Sequence, residues 1–301
     1  MQAYALAVLA VFFWSFNVIV GSALQGVLTP WQIAFFRWFI AGVCLIPFTY
    51  KQVIREWESL KKAWRLVLSS ALIGITFCNT CVYYASYTLS AVQMSLISVT
   101  GPVFLLLFAR FLGGALITPK AKIGMMLALI GVVIIILKGR LDDALHFPIQ
   151  SGDFWMVAMA CSFGYYSYLI SQKPKTLSQM GLLTAGIAIG TLGCFPFFVY
   201  ETVQAPGTLV HMTIETVLVM LYMGIFNSVL AYYFWNTALE KLGSVKVSVV
   251  YYLMPVFSSV EAFFLLKEPL VISEVIGGIC ILIGILLTNT KTRKSWHIER
   301  A

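Results

Sequence analysis

The chain has 301 residues, of which 60% are hydrophobic and only 11% charged, and its formal net charge is +8. Soluble domains carry about 25% charged residues, so this chain cannot cover itself with a water-compatible surface, and no stretch is polar and long enough for a separate soluble domain. The basic excess is therefore read as membrane topology rather than nucleic-acid binding, in a polytopic membrane protein.

Runs of about 20 apolar residues can cross a bilayer as helices. They predict ten spans, near 3–22, 31–50, 66–87, 91–112, 120–138, 152–172, 180–200, 216–238, 244–266 and 270–290. Span 1 lacks the basic flank of a signal peptide, and Ser22-Ala23-Leu24 is a poor cleavage site, so it is read as a helix. With the N-terminus inside, sixteen Lys and Arg fall on inner loops and the tail, from Lys51 and Arg55 to Arg300. Three, Lys138, Arg140 and Lys267, fall outside. That asymmetry places both termini in the cytoplasm, in what is expected to be a bacterial inner (plasma) membrane. Cys44, Cys78, Cys81, Cys161, Cys194 and Cys280 all lie in apolar segments, which argues against a disulfide framework.

The two halves resemble each other. Gly74-Ile75 and Tyr83 in span 3 match Gly224-Ile225 and Tyr233 in span 8 at an offset of 150. The offset then becomes 153, pairing Pro102 with Pro255, Gly124 with Gly277, and Gly131 with Gly284. "IPF" at 46–48 matches "FPF" at 195–197. Five spans are repeated once. Five is odd, so the second copy enters from the opposite side, and residues 1–140 and 141–301 form an inverted-topology repeat of the kind that underlies many transporters.

"AVFFWSFNVIVGSAL" (10–24), Arg37 early in span 2, the Pro102 and Pro255 spans, and "LLKEPLVISEVIGGICILIGILL" (265–287) together resemble the EamA family of the drug/metabolite transporter superfamily. The resemblance covers nearly the whole chain. It implies an all-α fold of ten spans with cytoplasmic termini, a central cavity lined by spans 1, 3, 4, 6, 8 and 9, and export of small metabolites. One departure is Ala115, which stands where the family's first repeat carries a Glu. That role carries over only to Glu268.

Helical spacing picks candidate lining residues. Trp14 and Asn17 share a stripe with Gly21 in span 1, and Asn79 and Tyr83 share one with Thr76 and Ser86 in span 3. Ser98 follows Ser95 in span 4, and Tyr165 and Tyr168 follow Ser162 in span 6. Tyr233 and Asn236 stand in span 8, and Tyr251, Ser258 and Glu261 in span 9. A polar face in lipid is unfavourable, so these faces are expected to point inward. Single Ser and Thr residues more often pack helices, but combined aromatic and amide stripes suit an amphipathic ligand. Trp31, Trp64 and Trp155 read as interfacial anchors. The Gly124/Gly131 and Gly277/Gly284 pairs are spaced for close helix approach as scaffold, with a homodimer seam as the alternative.

Arg37 and Glu261 are charges at membrane depth, both about 8–9 Å below the outer boundary at 1.5 Å per residue. Equal depth permits a pair or a shared polar cavity. Facing the outer half of the cavity and held against Glu261 at rest, Arg37 would favour a substrate carboxylate and Glu261 its amine. Snorkelling is the alternative for Arg37, and a helix-packing hydrogen bond for Glu261. Glu268-Pro269 opens span 10, where a carboxylate caps free amides.

Enzyme motifs, an ATP site and a His/Cys metal cluster are missing from the sequence, so no cofactor or metal is expected. The reading is a secondary transporter, facilitated or proton-coupled. It would export small amphipathic metabolites, with amino acids the leading class, as a monomer or homodimer among membrane lipids. The alternatives are carriage of nucleosides, organic cations or drugs, and a non-transporting accessory or lipid-handling protein.

Overall fold

The computed structural model describes residues 2–24, 26–89, 91–136, 150–205, 207–266 and 272–288. Every regular element among them is helical. The main rods are α1 (Gln2–Ala23), α2 (Pro30–Arg55), α3 (Trp64–Ser86) and α4 (Ala91–Ser98 continuing as Gly101–Phe111). Then come α5 (Pro119–Ile136), α6 (Ser151–Ser171), α7 (Gln179–Gln204) and α8 (Ile214–Leu242). The last two are α9 (Ser244–Val250, Tyr251–Leu253, Met254–Leu266) and α10 (Ile272–Thr288). By length and composition, α2, α3, α7 and α8 can each cross a membrane. Large apolar side chains stand exposed on outward faces, Phe48 at 86%, Leu192 at 71% and Leu286 at 68% among them. Such a surface suits lipid, and the chain is an integral membrane protein.

The breaks in the rods have local causes. Proline lacks an amide hydrogen and clashes with the carbonyl four residues back. Pro102 and Pro255 accordingly stand at the starts of the second pieces of α4 and α9, after a turn and a 3₁₀ turn respectively. In α3 and α8 the α-helix widens to π-helix at Ser70–Phe77 and Met223–Leu230. Widening frees carbonyls, and side chains take them up. Asn79 Nδ2 donates to the Gly74 and Ile75 carbonyls at 3.2 and 3.3 Å, and Ser228 Oγ donates to the Met223 carbonyl at 2.8 Å.

Two antiparallel pairs tie the halves together. In the first, α2 packs along α7. Glu201, near the end of α7, accepts from the Trp31 amide at the start of α2 at 2.9 Å. Glu56, just past the end of α2, accepts from the Ser178 amide that caps α7 at 3.0 Å. Each carboxylate satisfies a free amide at the other helix's N-terminus, where the dipole favours it. In the second pair, the glycine faces of α5 and α10 meet. A methyl added at Gly131 would lie 2.5 Å from the Gly277 carbonyl oxygen, and one at Gly284 2.5 Å from that of Gly124. Glu268 lies outside the described residues.

Candidate substrate cavity

Six of the rods meet around a central cavity of about 50 Å³. Of the candidates read from sequence, Trp14, Asn17, Asn79, Ser98 and Tyr251 line it. Cys78, Val82, Met156, Met159, Phe163, Tyr232 and Met254 complete the wall. Four rings make an aromatic collar. Trp14 meets Phe163 and Tyr232 edge-on at 5.4 Å and Tyr251 at 6.3 Å. Two polar groups are fixed within the collar. Asn79 Nδ2 donates to the Tyr232 hydroxyl at 2.8 Å, and that hydroxyl donates to the Gly74 carbonyl at 3.2 Å. Asn17 is buried, and its Oδ1 has no hydrogen-bond partner among the described residues. It is a free acceptor in the cavity wall, the kind of group that orients a ligand.

Helical periodicity misplaces part of the set. Tyr165 is half-buried with its ring 5.3 Å from Phe108, and Tyr168 lies beside Gly113, so both face α4 rather than the cavity. Phe163 takes their place in α6. In α8, Tyr232 lines the cavity, while the Tyr233 ring packs near Phe234 at 6.2 Å. Asn236 lies deeper, exchanging hydrogen bonds with Tyr166 at 2.8 and 3.1 Å. A stripe drawn at 3.6 residues per turn cannot anticipate the π segment before Ala231, which turns the following residues relative to an unbroken helix. Ser258 is half-buried, with its hydroxyl unpartnered among the described residues.

Arg37 and Glu261 are both buried, at 0% and 4% exposure, but they do not pair. Arg37 is met instead by neutral acceptors. Its Nε donates to Ser228 Oγ at 2.6 Å, one terminal nitrogen to Tyr83 OH at 3.0 Å, and the other to Asn227 O and Oδ1 at 3.2 and 3.3 Å. The π segment of α8 thus supplies three of the four acceptors, and a guanidinium so enclosed is tolerated without a counter-ion. The Asn227 carbonyl also accepts from Trp14 Nε1 at 3.1 Å. Arg37 therefore stands one layer behind the cavity wall, joined to it through Trp14. Glu261 accepts from Ser15 Oγ of α1, and its second oxygen is unpartnered among the described residues.

The EamA-like transporter family model matches residues 1–137 and again 150–290. The chain belongs to that family. A protein of Archaeoglobus fulgidus named as an uncharacterized transporter is 30% identical over 88% of this chain and 89% of its own. A probable amino-acid metabolite efflux pump of Escherichia coli is 23% identical over 94% and 93%. A chloroplastic WAT1-related protein of Arabidopsis thaliana is 24% identical over 92% of this chain and 67% of its own. A solved crystal structure superposes with a TM-score of 0.72 over 95% of this chain and 96% of the other at 17% identity, a likeness of fold. The family is one of transporters, not enzymes, and the A. fulgidus and E. coli relatives carry transporter and efflux-pump names, which implies a small-molecule substrate for this EamA-like transporter.

Proposed function

We propose that the chain is a ten-span secondary transporter, built as a 5+5 inverted repeat divided near residue 140, that exports small amphipathic metabolites by alternating access. Amino acids are the leading substrate class. Matched boundaries support the repeat. α2 and α7 both have 26 residues and start 149 positions apart, and the two π segments both have 8 residues and start 153 apart. At these same offsets six of the twelve lining residues form pairs: Trp14 with Phe163, Asn79 with Tyr232, and Ser98 with Tyr251. A site built from equivalent positions of two halves lies on their common axis, where two rocking halves can expose it to either side in turn. This is the observation that carries the reading. The E. coli relative's name points to the amino-acid class. The Lys and Arg asymmetry supports cytoplasmic termini and a bacterial inner membrane.

The present cavity is narrow. Metabolite sites occupy about 300–1,000 Å³, far above the 50 Å³ here, so the collar must part to load. In a proton-coupled cycle, Glu261 is the group that carries the proton, since its second oxygen is unpartnered between α9 and α1. The test is counterflow in proteoliposomes with an amino-acid panel beside nucleosides, sugars and organic cations. Exchange of an amino acid that is lost in Asn79→Ala and Tyr251→Ala supports the proposal. Exchange confined to another class removes the amino-acid assignment.

A further inference from the structure

A second pair of cavities lies across α3 from the central one, with no lining residue in common. The first, about 420 Å³, includes Tyr84, Tyr87, Trp155 and Glu201 in its wall. The second, about 230 Å³, adds Trp31 and shares Tyr84 and Trp155. Tyr84 and Trp155 are stacked at 4.9 Å and 20° and form the wall between the two spaces. Trp31 is held against Phe197 at 4.3 Å and 15°. Tyr87 is 54% exposed, so a ligand reaches the first cavity from solvent or from the headgroup layer.

The charge is one-sided. Among the described lining residues of the two cavities, Glu201 is the only acidic one and none is Lys, Arg or His. Its oxygens are fixed in place: Oε1 accepts from Tyr84 OH at 2.8 Å and Oε2 from the Trp31 amide at 2.9 Å. Those two donors are already used, so they are not offered to an anion. Each carboxylate oxygen still has a lone pair free. Ring faces attract cations through their quadrupole, and a carboxylate among them adds the counter-charge.

We propose that Tyr84, Tyr87, Trp155 and Glu201, which line the first of these cavities, form a binding site for an alkylammonium group, separate from the substrate cavity. The Glu56 clasp at the opposite end of the α2–α7 pair makes the comparison. It has the same carboxylate-to-amide bond, while the cavity lined by Tyr84, Tyr87 and Trp155 lies at the Glu201 end. Capping alone accounts for the carboxylate and interfacial anchoring for Trp155, but neither explains why the rings and the carboxylate share one cavity. An ammonium ligand accounts for both. The group belongs either to a free organic cation or to a lipid headgroup, and the inference holds whatever the central cavity carries.

The test follows the intrinsic tryptophan fluorescence of the purified protein. In detergent, choline is titrated beside 3,3-dimethylbutan-1-ol, which keeps the shape but replaces the charged nitrogen with carbon. In nanodiscs, phosphatidylethanolamine is compared with phosphatidylglycerol. The expected result is a saturable change with the ammonium-bearing member of one pair. The detergent pair assigns a free cation, and the nanodisc pair a headgroup. Trp155→Leu and Glu201→Gln should each weaken it roughly tenfold. Trp31 remains as reporter in both variants, and Gln keeps an acceptor for the Trp31 amide. If Trp155→Leu does not fold, Glu201→Gln alone decides. Equal responses within both pairs, or a folded Glu201→Gln protein that responds like the wild type, overturns the proposal.

Discussion

Arg37 and Tyr83 offer a quantitative test of how a guanidinium is held at membrane depth. Arg37 is fully buried and donates to Ser228, Tyr83 and twice to Asn227, all neutral acceptors. A hydrogen bond to a charged group contributes about 1.5–3 kcal/mol, so Tyr83→Phe, which removes one acceptor, should cost about that much. Arg37→Met strands the Tyr83 and Asn227 acceptors but also removes the desolvation of a charge. Its expected cost is about 2–4 kcal/mol, below the full cost of breaking a buried ion pair. The double variant should cost less than the sum by about 1–2 kcal/mol, because both single changes delete the same bond. Reversible unfolding in mixed micelles, followed by far-UV circular dichroism, measures all four proteins. Costs that add to within about 0.5 kcal/mol would refute the network. Substrate binding supplies a second readout. From behind the wall, Arg37 acts by positioning Trp14 through the Asn227 carbonyl. Arg37→Met should then weaken a zwitterionic amino acid and its amide alike. A loss confined to the zwitterion would put the guanidinium in contact with the substrate carboxylate.

Four further outcomes are expected. A methyl added at Gly131 would lie 2.5 Å from the Gly277 oxygen and 2.9 Å from Cys280 Cβ, so Gly131→Ala should destabilise by about 1–3 kcal/mol as overpacking, and an unchanged melting temperature would contradict the seam. Glu261→Gln should abolish the pH dependence of net uptake into vesicles while leaving counterflow, and a retained pH profile rules out a coupling role for Glu261. A cysteine probe at residue 58 should label only from the cytoplasm and one at residue 144 only from outside, and the reverse pattern would invert the topology. Glu268→Gln should lower folded yield more than turnover per folded molecule, whereas normal yield with abolished transport would give Glu268 a mechanistic role.

The fold was legible where a single period suffices. Apolar runs locate the rods, prolines mark the breaks in α4 and α9, and glycines seven apart in α5 and α10 mark the seam, because each of these signals is local. The cavity was legible only in part. Trp14, Asn17, Asn79, Ser98 and Tyr251 were readable as a polar and aromatic set, but Phe163, Met156 and Met159 carry no polar signal to separate them from lipid-facing residues. The internal repeat could have found two of the missed rings. Phe163 is the mate of Trp14 at an offset of 149, and Tyr232 is the mate of Asn79 at 153. The second was hidden because Gly74-Ile75 and Gly224-Ile225 suggest an offset of 150 in these helices, whereas the π segments align at 153. The expected Arg37–Glu261 pair failed for a related reason. Matching depth says nothing about azimuth, and the widened turn of α8 offers closer acceptors.

The same contacts indicate which parts of the molecule resist opening. The α2–α7 pair is clasped at both ends by Glu201 and Glu56, and α5–α10 is closed by backbone-to-backbone approach at Gly124, Gly131, Gly277 and Gly284. Separating either pair would expose several polar or tightly fitted groups at once. The collar around the 50 Å³ cavity is different. Its rings touch at 5–6 Å through adaptable edge contacts, and Met156, Met159 and Met254 fill the gaps between them. Methionine repacks at low cost. The breaks that let a helix bend, Gly101-Pro102 in α4, Tyr251–Leu253 before Pro255 in α9, and the two π segments, lie at or within one or two turns of the cavity-lining residues Ser98, Tyr251, Asn79 and Tyr232. Fixed seams beside bendable helices are compatible with the alternating access proposed above. On the transport mechanism proposed above, the loading motion would be a bend of α3, α4, α8 and α9 around the collar, with the α2–α7 and α5–α10 seams holding.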